Sequence, residues 1–134
     1  MRSLHRSGPS RSLFVAVLLL AALWSGLAFA SPSNKWRIQV SSDADSDGVV
    51  VFRIAPTDPA PPVDVTVQVP KGANENHIAR IIRDTLRAKL GDRYKVEVDD
   101  GEDVLLKKHL GSASFDLTIT SKTVSGVRIT LDKE

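Results

Sequence analysis

The sequence predicts an α+β fold in which a single amphipathic helix packs on a mainly antiparallel sheet of six to seven strands. Only one segment, between Asn74 and Gly91, places apolar side chains at helical spacing. Before and after it, apolar and polar residues alternate with a period of two. Clean alternation is typical of antiparallel strands with one face in water, so a parallel α/β architecture is not expected.

Three strands are predicted before the helix. They cover residues 36–40, 49–54 and 63–69. The first two are separated by Ser41–Gly48, a strong turn signal. The connection Pro56–Pro62 contains four prolines, which lack backbone donors and cannot continue a strand ladder. We therefore expect this connection to be exposed.

The helix is predicted to begin after Asn74, whose side chain can cap the first free amides. Glu75 lies in the first turn, where the helix dipole favours an anion. Gly91 lies where a left-handed residue commonly ends a helix. The face expected to pack on the sheet consists of Ile78, Ile81, Ile82, Thr85, Leu86 and Leu90.

Four further strands are predicted after the helix. They cover residues 94–98, 104–108, 115–120 and 127–131. Asp99–Glu102 contains a glycine and three acidic residues, and it is expected to form a tight turn.

The first 30 residues resemble a secretory signal. Met1–Ser12 is basic and contains no acid, Leu13–Trp24 is apolar, and Ala28 and Ala30 are small residues at the positions that a signal peptidase recognises. We predict cleavage after Ala30 and one exported domain, residues 31–134, in the periplasm or outside the cell. The alternative is a retained anchor, because residues 13–30 are near the lower limit of length for spanning a bilayer.

Charge argues against a nucleic-acid partner. Three of the 18 Lys and Arg residues lie in the leader, which leaves 15 against 16 Asp and Glu and a net charge of −1 for the body. Phosphate-driven binding needs a basic surplus or patch. The chain contains no cysteine, so neither a disulfide nor a lipidated cysteine is possible. After cleavage, no stable membrane insertion is expected.

One candidate metal site lies in the turn between the first two strands. Asp43, Asp45 and Asp47 alternate before Gly48, which matches the first half of a calcium-binding loop. The second half does not match, because Ile54 stands where a bidentate glutamate is needed. The alternative interpretation is a solvated acidic hairpin turn. Calcium is the one cofactor that the sequence suggests.

One candidate anion-binding site lies on the helix. Arg80, Arg83 and Arg87 form a ridge opposite the apolar face, where three guanidinium groups could hold phosphate, sulfate or an acidic polysaccharide. Asp84 is close enough along the helix to neutralise part of this ridge. The alternative is an ordinary solvated helix face.

The sequence contains no pattern that indicates catalysis. His77 and His109 have no histidine, glutamate or cysteine at metal-ligand spacing. There is no nucleophile elbow and no glycine-rich phosphate loop. We therefore predict no catalytic residue.

Residues 63–120 resemble the strand-helix-hairpin modules of phage tail and flagellar hook-associated proteins. The resemblance is carried by a Val-x-Val-x-Val strand, the helix "IARIIRDTLRAKL", the hairpin "YKVEVDD" and "DVLLKK", and the strand "FDLTI". Those modules are assembly parts, so the resemblance implies a structural or binding role. This chain differs from them in carrying an export signal and in standing alone.

Three functional hypotheses follow from these observations. The first is a non-enzymatic exported module that binds a protein or envelope component, by adding a strand of its partner to an open sheet edge. The second is a secreted inhibitor of a hydrolase that uses Pro56–Pro62 or Asp99–Glu102 as a wedge. The third is an enzyme whose catalytic residues a single sequence does not reveal.

Overall fold

The computed structural model describes residues 32–134, so the predicted leader and its cleavage site after Ala30 lie outside the described residues. Within these residues, one long helix packs against seven strands, which confirms the predicted α+β class. The elements are β1 Lys35–Ser41, β2 Gly48–Pro56, β3 Val63–Val69, α1 Glu75–Leu90, β4 Tyr94–Asp99, β5 Asp103–Lys108, β6 Phe115–Lys122 and β7 Arg128–Lys133. A short 3₁₀ turn, Gly91–Arg93, follows α1.

The seven strands form two antiparallel sheets rather than one. The four-stranded sheet has the order β4-β5-β1-β7, and the three-stranded sheet has the order β3-β2-β6. One helix is too narrow to cover seven strands, and two sheets can instead bury their inner faces in a shared core. The inner side chains of both sheets and of α1 belong to one buried cluster.

The ends of α1 follow the predicted capping. Asn74 Oδ1 accepts a hydrogen bond from His77 N at 2.9 Å, and Gly91 has a positive φ of 60°. Ile78, Ile82, Leu86 and Leu90 are buried on the predicted face, while Ile81 and Thr85 at its margin are half-buried.

Aromatic residues join the two sheets within the core. Tyr94 of β4 and Phe115 of β6 meet edge to face, with ring centroids 5.0 Å apart. The indole Nε1 of Trp36 in β1 donates to the Phe115 carbonyl at 3.0 Å. These contacts connect one end of the four-stranded sheet to the start of β6.

The proline-rich connection is exposed along most of its length, as predicted. Thr57 N donates to the Ser114 carbonyl at 2.9 Å, and Thr57 Oγ1 donates to the same oxygen at 3.0 Å. These two bonds attach the connection to the segment before β6.

Candidate functional site

Each sheet ends in two edge strands, which are β4 and β7 in one sheet and β3 and β6 in the other. An edge strand presents N–H and C=O groups that have no strand partner, and it can pair with another chain. The four edges of this protein differ in what covers them.

The helix occupies one hydrogen-bond acceptor on the edge of β4. Lys108 N donates to the Asn34 carbonyl at 3.0 Å. The backbone N–H and C=O groups of even-numbered residues in β5 therefore point towards β1. Val96 lies opposite Leu106, and its carbonyl therefore points away from β5 to the free edge. Arg87 Nε donates to that oxygen at 2.8 Å. Arg87 thus occupies an acceptor that a further strand would need.

The edge of β6 is covered at its start. Ser33 and Phe115 exchange two backbone hydrogen bonds of 2.9 Å. Ser33 Oγ also donates to the Glu134 carbonyl at 3.0 Å. The segment before β1 therefore occupies the position of a partner strand there.

The edge of β3 presents the backbone groups of Asp64, Thr66 and Gln68. Thr123 N donates to the Val49 carbonyl at 2.9 Å, so odd-numbered residues of β2 point towards β6 and even-numbered residues towards β3. Val50 pairs with Val67. The backbone groups of odd-numbered residues in β3 therefore bond to β2, and those of even-numbered residues point to the free edge. We call the backbone groups of Asp64, Thr66 and Gln68 the β3 edge.

Within residues 32–134, no hydrogen bond reaches the backbone of the β3 edge. The strand has no proline, lysine or arginine, which are residues that often protect edges. Its one charge, Asp64, accepts two hydrogen bonds from Arg53 of β2, at 2.8 and 3.1 Å. The hydrogen bond from Arg53 holds the pKa of Asp64 below its usual value. The helix α1 contacts β3 as well as β4.

The structure gives the three ridge arginines different environments. Arg80 is exposed, Arg83 Nε donates to Asp84 Oδ1 at 2.8 Å, and Arg87 is engaged at β4. The hydrogen bond from Arg83 lowers the pKa of Asp84. Two of the three guanidinium groups thus have partners within the chain, and anion binding by the ridge stays a prediction.

The acidic turn contacts the segments beside it. Asp47 Oδ1 accepts a hydrogen bond from Lys71 N at 2.7 Å, and Asp45 N donates to the Ser125 carbonyl at 2.9 Å. Gly126 has a φ of +85°, and a Cβ there would lie 2.5 Å from Asp45 Oδ2. These contacts connect the β1–β2 turn to the segment before the helix and to the β6–β7 connection.

No group of three or more carboxylate or histidine side chains in residues 32–134 is arranged to hold a metal ion. Asp43, Asp45 and Asp47 are all exposed. Their visible contacts are structural, and calcium binding stays a prediction.

Two histidines, His77 and His109, lie in the part of the chain that the structure describes. The backbone N of His77 serves the helix cap. His109 lines a surface cavity of about 360 Å³ together with Arg87 and Tyr94. Burial raises the pKa of the Tyr94 phenol.

A charged cluster on the outer face of the four-stranded sheet was not predicted. Arg37 of β1 contacts Asp99 at 3.0 Å and Asp103 at 2.9 Å, and it also hydrogen-bonds Glu134. Arg37 and Lys35 lower the pKa of Glu134 to about 2. Alternating charges in the sequence indicated a face in water, but only the strand register brings together these residues of β1, β4 and β5 and Glu134.

No helix in residues 32–134 has the length and apolar character needed to cross a membrane. No protein-family model matches the sequence, and neither curated proteins nor solved structures include a significant match. The resemblance to phage tail and flagellar modules therefore stays a prediction.

Proposed function

We propose that this protein is an exported, non-enzymatic binding module of the cell envelope that adds an extended segment of its partner to the β3 edge. The proposal is supported by the backbone of Asp64, Thr66 and Gln68, which receives no hydrogen bond within residues 32–134, whereas Arg87 occupies an acceptor on the β4 edge. Strand addition draws its affinity from main-chain hydrogen bonds and its specificity from alternate side chains.

The surroundings of the β3 edge favour a particular kind of partner. Val63 of β3 is hydrophobic and only partly covered by the core, whereas Thr66 and Gln68 are polar and exposed. An added strand has one row of side chains on the core side and one row on the solvent side. The partner segment is therefore extended, with apolar and polar residues in alternation.

The test of binding uses a proline at the edge. Thr66→Pro removes an N–H that points outwards and leaves the ladder between β2 and β3 intact. Thr66→Ala, the matched control, keeps that N–H. Each immobilised variant is incubated with envelope extract and culture fluid of the source cells. We expect saturable capture of one partner by the wild-type protein and by Thr66→Ala, and loss of capture with Thr66→Pro.

Capture that is unchanged by Thr66→Pro would remove the β3 edge from the proposal. Export is tested separately by N-terminal sequencing of the protein from cell fractions. We expect the exported chain to begin at Ser31, and a chain that still begins at Met1 would contradict the proposed processing.

A second candidate function is inhibition of a hydrolase by the proline-rich connection. The observation in its favour is the attachment of Thr57 to Ser114 by two hydrogen bonds, since a loop held at its base can act as a rigid wedge. A panel of proteases and glycosidases, assayed with and without the protein, separates the two candidates. The strand-binding module is expected to slow none of them.

A further inference from the structure

The remaining edge strand, β7, has a sequence that is complementary to itself. Glu134 N donates to the Lys35 carbonyl at 3.0 Å, so even-numbered residues of this segment point towards β1. The backbone groups of Ile129 and Leu131 consequently lie on the free edge. Both side chains are half-buried, whereas Arg128 and Asp132 are exposed.

We propose that β7 pairs in antiparallel orientation with β7 of a second copy of this chain, with Thr130 on the two-fold axis. This register places Arg128 of each copy opposite Asp132 of the other. It also places Ile129 opposite Leu131 in two symmetric pairs. Opposite charges and apolar side chains that face each other across strands both stabilise a sheet.

Neighbouring registers are less favourable. Two-fold pairing must bring edge-facing residues together, so the axis passes through a residue of β7 and not between two residues. An axis through Leu131 would place Arg128 opposite Glu134, which Arg37 and Lys35 already engage. An axis through Ile129 would place Arg128 opposite Thr130, and Asp132 would then face no cation of the second copy.

The two charged residues are available for a second copy. Among the ion pairs within residues 32–134, none includes Arg128 or Asp132, although most charges on the same outer face are paired. An intermolecular pair therefore costs no existing salt bridge. Opposite charges at matching positions of the two copies also favour this register over a shifted one.

The dimer would contain a continuous eight-stranded sheet, and its two β3 edges would remain free because they belong to the other sheets. The inference thus goes beyond the proposed function. If both edges bind one multivalent partner, the second binding event becomes intramolecular and the overall affinity rises.

A cysteine at the proposed axis tests the register directly. The backbone of Thr130 points towards β1, so the two copies of this residue form a non-hydrogen-bonded pair with Cα atoms about 4.5 Å apart. That spacing permits a disulfide, and the chain contains no other cysteine. Under mild oxidation of the protein purified from cells that express the full chain, we expect Thr130→Cys to form a covalent dimer.

Thr66→Cys is the matched control, since Thr66 is an exposed threonine on a different edge strand. We expect it to remain monomeric under the same oxidation. Equal cross-linking at both positions, or no cross-linking at Thr130→Cys, would overturn the proposed register.

Charge reversal tests the same interface without a covalent bond. In sedimentation equilibrium we expect a monomer–dimer equilibrium whose dissociation constant rises about tenfold or more with Arg128→Asp or with Asp132→Arg. The double variant restores complementary pairs, and its dissociation constant is expected to return close to the wild-type value. A wild-type protein that stays monomeric at every concentration, or a double variant no better than the single variants, would refute the proposal.

Discussion

The two strands that flank the helix, β3 and β4, show opposite treatments of an exposed sheet edge. At β4, the guanidinium of Arg87 donates to the Val96 carbonyl and so occupies one acceptor on the free edge. At β3, the backbone of the seven-residue strand Val63–Val69 faces outwards at every second residue, and no described group bonds to it. Because one helix lies beside both strands, the difference comes from side chains and not from architecture.

The difference between the two edges indicates which of them can pair with a strand of another chain. An unprotected edge is a liability for aggregation, and proteins usually block it. This chain blocks β4 with a charge-assisted hydrogen bond, although the valine-rich β3 is the more hazardous strand. The lack of a described partner at this edge is the reason that we propose it as the binding site.

The largest expected effect on stability distinguishes residues of β3 that bond to β2 from residues whose N–H points outwards. Val67→Pro removes a ladder hydrogen bond to β2 and a buried side chain, and we expect it to lower the free energy of unfolding by about 3 kcal/mol or more. Thr66→Pro removes only an outward N–H, and we expect a loss below about 1 kcal/mol. Urea denaturation measures both, and equal losses would contradict the derived orientation of the strand.

A smaller loss of stability is expected when the hydrogen bond from Arg87 to the β4 edge is removed. Arg87→Met keeps most of the apolar stem but removes the hydrogen bond to Val96, and we expect the free energy of unfolding to fall by about 1 kcal/mol. Arg80→Met is the control, because Arg80 is exposed and should change stability by less than about 0.5 kcal/mol. Equal responses of the two variants in denaturation would show that Arg87 does not protect the edge.

The smallest expected effect on stability concerns the salt bridges of Glu97 in β4. Glu97 of β4 forms salt bridges with Lys95 at 2.8 Å and with Lys107 at 3.0 Å. These contacts lower the pKa of Glu97 to about 2. A carboxyl whose folded pKa is depressed stabilises the fold above its unfolded pKa, near 4.5, and this contribution is lost as the pH falls towards 2. The group is accessible to solvent, so the effect is small and is screened by salt.

This contribution is measured by thermal unfolding of the wild-type protein and Glu97→Gln between pH 6 and pH 2. We expect the midpoint of the wild type to fall more steeply over this range, since the variant lacks the titrating group. Parallel curves for the two proteins would show that the lysine contacts of Glu97 do not contribute to stability.

The sequence allowed much of the fold to be predicted because local patterns determine it. The spacing of Ile78, Ile82 and Leu86, with Asn74 at one end and Gly91 at the other, defines the helix independently of the rest of the chain. Alternation likewise indicated most of the strands, and the turn at Asp99–Glu102 indicated β5, which contains three consecutive apolar residues. These features need no knowledge of which strands are neighbours.

What the sequence could not predict depends on register and on long-range pairing. Leu105 is only 6% exposed although it lies on the outer face of its sheet, because Arg37 and Glu97 are its cross-strand neighbours. The division into two sheets and the cover on the β4 edge have the same origin. The bond from Arg87 to Val96 joins a helix to a strand whose orientation only pairing with β5 defines.

The central claim, that the β3 edge is open, is tested most directly by amide hydrogen exchange of the free protein followed residue by residue by NMR. We predict an alternating pattern, with fast exchange at Thr66 and Gln68 and slow exchange at Val65 and Val67. Slow exchange at Thr66 and Gln68, equal to that of their neighbours, would show that this edge is already covered and would contradict the account.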